Sequence, residues 1–249
     1  MIAKKSFGQH FLHDMSVVKK IIIAAGIKPG EMVLEVGPGH GVLTTALVDA
    51  QAEVIAVEAD RDLISELKEK FGNKIELICQ DILKFDTEQL GRYKLVANLP
   101  YNIASAVIEK FLSAKRSPTR MVIMVQKEVA ERILAKPGEM SVLSVACQLY
   151  ADIKRVTNVA PGAFNPPPKV DSTVIQMDLK TKGEDNEQII ALAKAGFRSR
   201  RKQLHKNLAE ANIAQPERTK AALQAMNLPE TARAQELSID QWIKLYDTL

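Results

Sequence analysis

The chain has 249 residues, 46% of them hydrophobic and 26% charged, with a net charge of +4; this suits one large globular domain, or a medium domain with a small one, and permits a nucleic-acid partner without requiring it. No apolar run nears the length of about 20 residues that spans a bilayer, and Met1-Ile2-Ala3-Lys4-Lys5 lacks the apolar core of a signal peptide, so a cytoplasmic protein with no membrane contact is expected. Cys79 and Cys147 both sit in apolar runs, which argues against a disulfide framework, and His10, His13 and Asp14 have no second ligand cluster, so no metal is expected.

From Met32 onward, short apolar runs alternate with amphipathic stretches. Met32–Val36, Val54–Val57, Ile75–Cys79, Leu95–Ala97 and Met121–Val125 read as buried strands. Val42–Asp49, Arg61–Phe71, Ala104–Ala114 and Lys127–Ala135 read as helices between or after them, and Pro137-Gly138 ends the last. A further helix is expected near Ser141–Tyr150. Alternating strands and helices predict a parallel sheet covered on both faces. Arg155–Val159 and Thr173–Leu179 can pair as an antiparallel edge hairpin, giving seven strands in all. The polar stretch Thr181-Lys182-Gly183-Glu184-Asp185-Asn186 marks a boundary between domains at 1–182 and 183–249, and the second shows only helical periodicity.

The first sheet strand runs into Glu35-Val36-Gly37-Pro38-Gly39-His40-Gly41, where glycines allow a sharp turn and close approach of a ligand. Glu58 ends the second strand, about 20 residues on, where an acid can accept from ribose hydroxyls. Asp81, after the third, can accept from an adenine amine. A tight βα connection would use the same glycines, but the three features together favour an adenosine cofactor. They do not separate S-adenosylmethionine from NAD, although G-x-G-x-G departs from the G-x-G-x-x-G of NAD sites.

The fourth strand ends in Asn98-Leu99-Pro100-Tyr101. An exocyclic adenine amine is a poor nucleophile because its lone pair is delocalised into the ring. Acceptors on its two N–H groups favour a tetrahedral nitrogen, and the Asn98 side-chain oxygen and Leu99 carbonyl can supply them. Pro100 holds the turn rigid, and Tyr101 offers a stacking face worth about 1–3 kcal/mol per base. Neutral Asn suffices, since the amine becomes acidic only after attack; the work is orientation and electrostatics. A strand-end turn with an Asn cap and a packed Tyr is the plainer alternative.

In Phe164-Asn165-Pro166-Pro167-Pro168-Lys169-Val170-Asp171-Ser172, three prolines stiffen the chain, and Phe164 either forms a second wall of a base pocket or covers the core. Arg198, Arg200, Arg201, Lys202, His205 and Lys206 crowd into Phe197–Leu208, as a solvated helix face or a phosphate-contacting surface.

Taken together, Phe7-Gly8-Gln9-His10-Phe11-Leu12, Glu35–Gly39, Glu58-Ala59-Asp60-Arg61, Asn98–Ile103, Gln126-Lys127-Glu128-Val129, Phe164–Ser172, Arg200-Arg201-Lys202 and Arg233–Ser238 resemble the KsgA (RsmA) rRNA adenine dimethyltransferases almost end to end. The resemblance implies a seven-stranded, Rossmann-like class I methyltransferase domain and a small all-helical RNA-binding domain. It implies methyl transfer from S-adenosyl-L-methionine to N6 of two adjacent adenosines near the 3′ end of small-subunit (16S) rRNA, giving N6,N6-dimethyladenosine during ribosome biogenesis. The implied partner is an immature subunit and the implied enzyme a monomer. Cofactor contacts carry over to His10, Leu12, Gly37, Gly39, Glu58, Asp81, Ile82 and Asn98. Asn98, Leu99, Pro100, Tyr101 and Phe164 carry over as the catalytic, target-base site, and Arg198, Arg200, Arg201, Lys202 and Lys206 are expected to bind RNA. Many members have Asn where this chain has His10. Related Erm-like enzymes, which methylate a large-subunit (23S) adenosine, share the N-terminal half of these motifs; the triple proline and basic tail favour the small subunit.

Overall fold

The computed structural model describes residues 10–249, so Phe7, Gly8 and Gln9 of the opening motif lie outside the described residues. The described chain starts with β1 (Phe11–Leu12) and α1 (Met15–Ala25), neither of which the chain-order reading contains. The Asp14 carboxylate caps α1 by accepting from the Ser16 N–H, and Gly26 ends the helix in the left-handed conformation at φ 56°. Val17, Val18 and Ile21 turn its apolar face into the core.

The expected alternation follows: β2 (Met32–Val36), α2 (Val42–Asp49), β3 (Glu53–Glu58), α3 (Arg61–Phe71), β4 (Ile75–Cys79), β5 (Tyr93–Asn98), α4 (Ala104–Ser113), β6 (Arg120–Gln126) and α5 (Lys127–Ile133). Then come α6 (Val142–Tyr150), β7 (Ala151–Val159), β8 (Phe164–Asn165) and β9 (Ser172–Leu179). The sheet has seven strands in the order β4-β3-β2-β5-β6-β9-β7. β2 pairs in parallel with both β3 and β5, and β5 in parallel with β6. β9 runs antiparallel to β6, with Ser172 opposite Gln126, and β7 lies beyond it at the edge. The buried strands are continuous apolar runs because helices cover both faces, and Met121 to Val125 are each fully buried. A separate two-stranded ladder joins β1 to β8, with Leu12 opposite Phe164.

The helices α7 (Asn186–Gly196), α8 (Leu204–Glu210), α9 (Pro216–Ala225) and α10 (Ile239–Thr248) complete the chain. The molecule divides into two compact units. One runs to Ala130 and resumes over Asp152–Lys180; the other comprises Glu131–Ala151 and Thr181–Leu249. The division differs from a single boundary after residue 182, because α6 belongs to the helical unit. Its Val145 and Leu149 pack in one core with Leu192, Leu204, Leu208 and Trp242. The capping box of Ser141 and Ser144 fixes where α6 begins. Among the described residues, no helix is long and apolar enough to cross a membrane.

Candidate active site

The strand order reverses between β2 and β5, and a cavity of about 400 Å3 opens outside the carboxyl ends of the strands there. Ten of the sequence-predicted residues line it: His10, Gly37, Gly39, Glu58, Asp81, Ile82, Asn98, Leu99, Pro100 and Tyr101. They come from the ends of β2, β3 and β5, the turn after β4 and the residue before β1.

At the cofactor end, two glycines of the loop after β2 leave no room for a side chain, whereas the space beside Gly37 is open. A Cβ on Gly39, at φ +59°, would stand 2.9 Å from the Phe11 ring; one on Gly41, at φ +73°, would stand 2.5 Å from the Phe71 ring. Glu58 is only 7% exposed. Its Oε2 accepts from the Gly39 N–H at 3.3 Å and its Oε1 from the Asp60 N–H at 2.9 Å. Burial pushes the Glu58 pKa up, and these backbone donors oppose the rise. Glu35, on β2 beneath the same loop, is 1% exposed, and its Oε2 has no hydrogen-bond partner among the described residues. Desolvation raises its pKa to about 8, with hydrogen bonding to Thr44 opposing the rise and the Glu58 charge adding to it.

Asp81 caps the short turn Ile82–Lys84, its Oδ1 accepting from the Leu83 N–H at 2.9 Å. Lys110, from α4, holds the far side of that turn by donating to the Leu83 and Phe85 carbonyls at 3.0 and 2.7 Å. Asp81 and Ile82 are thus presented by a turn secured at both ends.

At the reacting end, Asn98 Nδ2 donates to the His10 carbonyl at 3.1 Å. With Nδ2 so engaged, Oδ1 is the end of the amide left to accept. The Leu99 N–H donates to the Met124 carbonyl, and the Pro100 carbonyl accepts from the Ile103 N–H, so the tetrapeptide is fastened to β6 and closed by its own turn. The Tyr101 hydroxyl is 2.7 Å from Ser172 Oγ, and its ring stacks against that of His10 with centroids 5.6 Å apart. His10 Nδ1 lies 2.8 Å from the Pro166 carbonyl, which can only accept, so Nδ1 carries a proton.

Two predicted site residues stand elsewhere. Leu12 and Phe164 are 6% and 3% exposed and pack with Val17, Val159 and Val174 in the core, outside the cavity lining. The β1–β8 ladder sets them opposite each other and turns both side chains inward. Phe164 therefore covers the core here rather than forming a second pocket wall. Phe11 and Leu63 also line the cavity, though neither belongs to the expected site set. The Leu63 signal was present, one turn after the Asp60 cap of α3; a two-residue strand offers no periodicity from which to place Phe11.

Arg198, Arg200, Arg201, Lys202 and Lys206 are all exposed and all belong to the helical unit. Lys202 is paired with Glu210 at 2.6 Å. Buried Asn207 secures the basic turn from inside, donating to the Gly196 and Ser199 carbonyls at 2.6 and 3.0 Å.

A family model described as ribosomal RNA adenine dimethylase matches residues 2–249. A ribosomal RNA small subunit methyltransferase A from Dehalococcoides mccartyi is 44% identical, covering 98% of this chain and 87% of that protein. One from Thermosynechococcus vestitus is 39% identical, covering 99% and 97%. Among solved structures, a dimethyladenosine transferase from Plasmodium falciparum superimposes with TM-score 0.79 at 30% identity, over 95% of this chain and 96% of that one. The 23S rRNA methyltransferase ErmE also gives 0.79, at 26% identity over 96% and 99%.

Proposed function

Since the chain belongs to the ribosomal RNA adenine dimethylase family, we propose that it dimethylates N6 of two adjacent adenosines near the 3′ end of small-subunit (16S) rRNA, using S-adenosylmethionine. The small-subunit reading is supported by relatives of that name at 39–44% identity over nearly the whole chain. The substrate is an immature subunit, met in the cytoplasm by a monomeric enzyme.

The residues present fit the cofactor. Gly37 presents bare backbone to open space in the cavity lining, Gly39 has no room for a Cβ beside the Phe11 ring, and Glu58 and Asp81 form an acceptor set suited to a ribose diol and an adenine amine. S-adenosylmethionine, when bound, supplies a methyl group on a positively charged sulfur. Glu58 would hold the ribose, Asp81 and Ile82 the adenine, and the Gly37–Gly39 backbone would allow close approach.

The observation that carries the reading is the fixed orientation of the Asn98 amide. Asn98 Oδ1 and the Leu99 carbonyl accept the two N–H groups of the target amine and favour a pyramidal nitrogen with its lone pair directed at the methyl. Tyr101 stacks on the base and holds its plane. After attack the nitrogen is cationic and acidic, and Asn98 Oδ1 holds its departing proton on the way to water. No strong base is required, and preorganised acceptors provide the stabilisation. The exposed arginines of the helical unit engage rRNA phosphates.

The test is mass spectrometry of nucleosides after incubation with S-adenosylmethionine and small subunits that lack these methyl groups. N6,N6-dimethyladenosine in small-subunit rRNA is the expected product. Its appearance only in large-subunit rRNA, on parallel incubation, would establish the ErmE-like alternative.

A further inference from the structure

The proline-rich segment contributes more than a rigid loop. Its last residue, Ser172, opens β9, lies opposite Gln126 of β6 and is fully buried. Its hydroxyl meets the Tyr101 hydroxyl at 2.7 Å, 71 positions away in sequence. The backbone around this contact is held from both sides. The Leu99 N–H donates to the Met124 carbonyl on β6, and the Lys127 N–H donates to the Asp171 carbonyl just before Ser172. The tyrosine turn and the start of β9 are therefore both tied to β6, and the hydroxyl pair connects their side chains.

A tyrosine ring on a loop can rotate about two side-chain torsions, and a stacking platform works only if its plane is fixed before the base arrives. One torsion of Tyr101 is restrained by the His10 ring beside it. The hydroxyl, the atom farthest from the backbone, is restrained by Ser172, where a small lateral displacement sets the ring tilt. Burial raises the Tyr101 pKa, so its hydroxyl keeps its proton and the contact remains a neutral hydrogen bond at working pH.

We propose that Ser172 is a positioning residue for methyl transfer: by holding the Tyr101 hydroxyl it sets the plane on which the target adenine stacks and so places the amine against Asn98 and Leu99. The proposal rests on the reading of Tyr101 as the base platform. It joins Asn98-Leu99-Pro100-Tyr101 to the Phe164–Ser172 segment physically, since each supplies half of one hydrogen bond.

The experiment is a double-mutant cycle on transfer from labelled S-adenosylmethionine to unmethylated small subunits, with kcat and subunit KM separated and cofactor Kd measured by titration calorimetry. Ser172→Ala and Tyr101→Phe should each lower kcat about tenfold, as expected when a reacting group is misplaced by a fraction of an ångström. Subunit KM and cofactor Kd should stay within about twofold, and the double variant should match the singles rather than multiply them. A merely structural role would lower thermal stability without this coupling in kcat. If Ser172→Ala does not fold, Tyr101→Phe reads the same bond from its other end. Wild-type kcat in either single variant, or losses that multiply in the double, would overturn the proposal. Tyr101→Ala, which removes the ring itself, serves as the separate control. Loss of transfer in it, with normal kcat in Ser172→Ala, sinks only the role of Ser172; normal transfer in it sinks the reading of Tyr101 as the base platform as well.

Discussion

Asn98 and His10 are joined through a side-chain amide that donates to a backbone carbonyl at 3.1 Å, so a residue that precedes β1 sets the orientation of a residue that ends β5. The contact leaves Oδ1 of Asn98 as the acceptor at the cavity. Asn98→Ala should reduce kcat by on the order of 10²–10³-fold, comparable to removing one preorganised group that meets developing charge. Single-turnover transfer to unmethylated subunits measures it, and turnover within threefold of wild type would contradict the acceptor role.

Glu58 spends both carboxylate oxygens on backbone N–H groups, yet it lines the cavity. Removing a charged acceptor for ribose hydroxyls should weaken cofactor binding by about 10- to 100-fold in Glu58→Ala. Titration calorimetry with S-adenosylmethionine reads this directly. An unchanged Kd would assign Glu58 to loop support alone.

The raised pKa of Glu35 makes stability depend on pH with a definite sign. The folded state keeps the proton up to about pH 8, whereas the unfolded chain releases it near the ordinary glutamate value of 4.5. Between these values the native state binds more protons, so this group's contribution to stability falls as pH rises, by roughly 1.4 kcal/mol per pH unit. Glu35→Gln, neutral throughout, should remove that slope and gain on wild type from pH 5 to pH 8. Denaturant melts at several pH values check it, and parallel pH profiles for the two proteins would refute it.

Arg200 and Arg201 lie on the turn that Asn207 holds from within. Neutralising both should reduce the magnitude of the slope of log affinity for rRNA against log salt by roughly 1.4 for single-stranded RNA, the value for two lost phosphate contacts at about 0.7 each. Asn207→Ala should weaken RNA binding in the same assay while leaving cofactor Kd alone. An unaltered salt slope in the arginine variant would make the basic turn only a solvated surface.

Much of the sheet was legible because its parallel strands are covered on both faces and so appear as unbroken apolar runs such as Met121–Val125. The cavity residues after those strands followed from the same logic, since the turn and the acids sit at strand ends. What escaped depends on contacts far apart in sequence. His10 meets Pro166 across 156 positions, and no local pattern announces β1 or β8. Phe164 was ambiguous because an aromatic beside a stiff loop has the same composition whether it faces a pocket or the core; only its pairing opposite Leu12 decides. The helical pattern of Val142–Tyr150 was recognisable, but amphipathicity does not say which core its apolar face joins.

The chain passes between its two units three times, after Ala130, Ala151 and Lys180. Recombination between relatives therefore cannot exchange the helical unit through one crossover near Lys180. Such a hybrid would inherit Val145 and Leu149 from one parent and the Leu192, Leu204 and Trp242 that enclose them from the other. Descent should keep these two stretches together as a co-adapted pair, and a workable chimaera must carry 131–151 along with everything after 180.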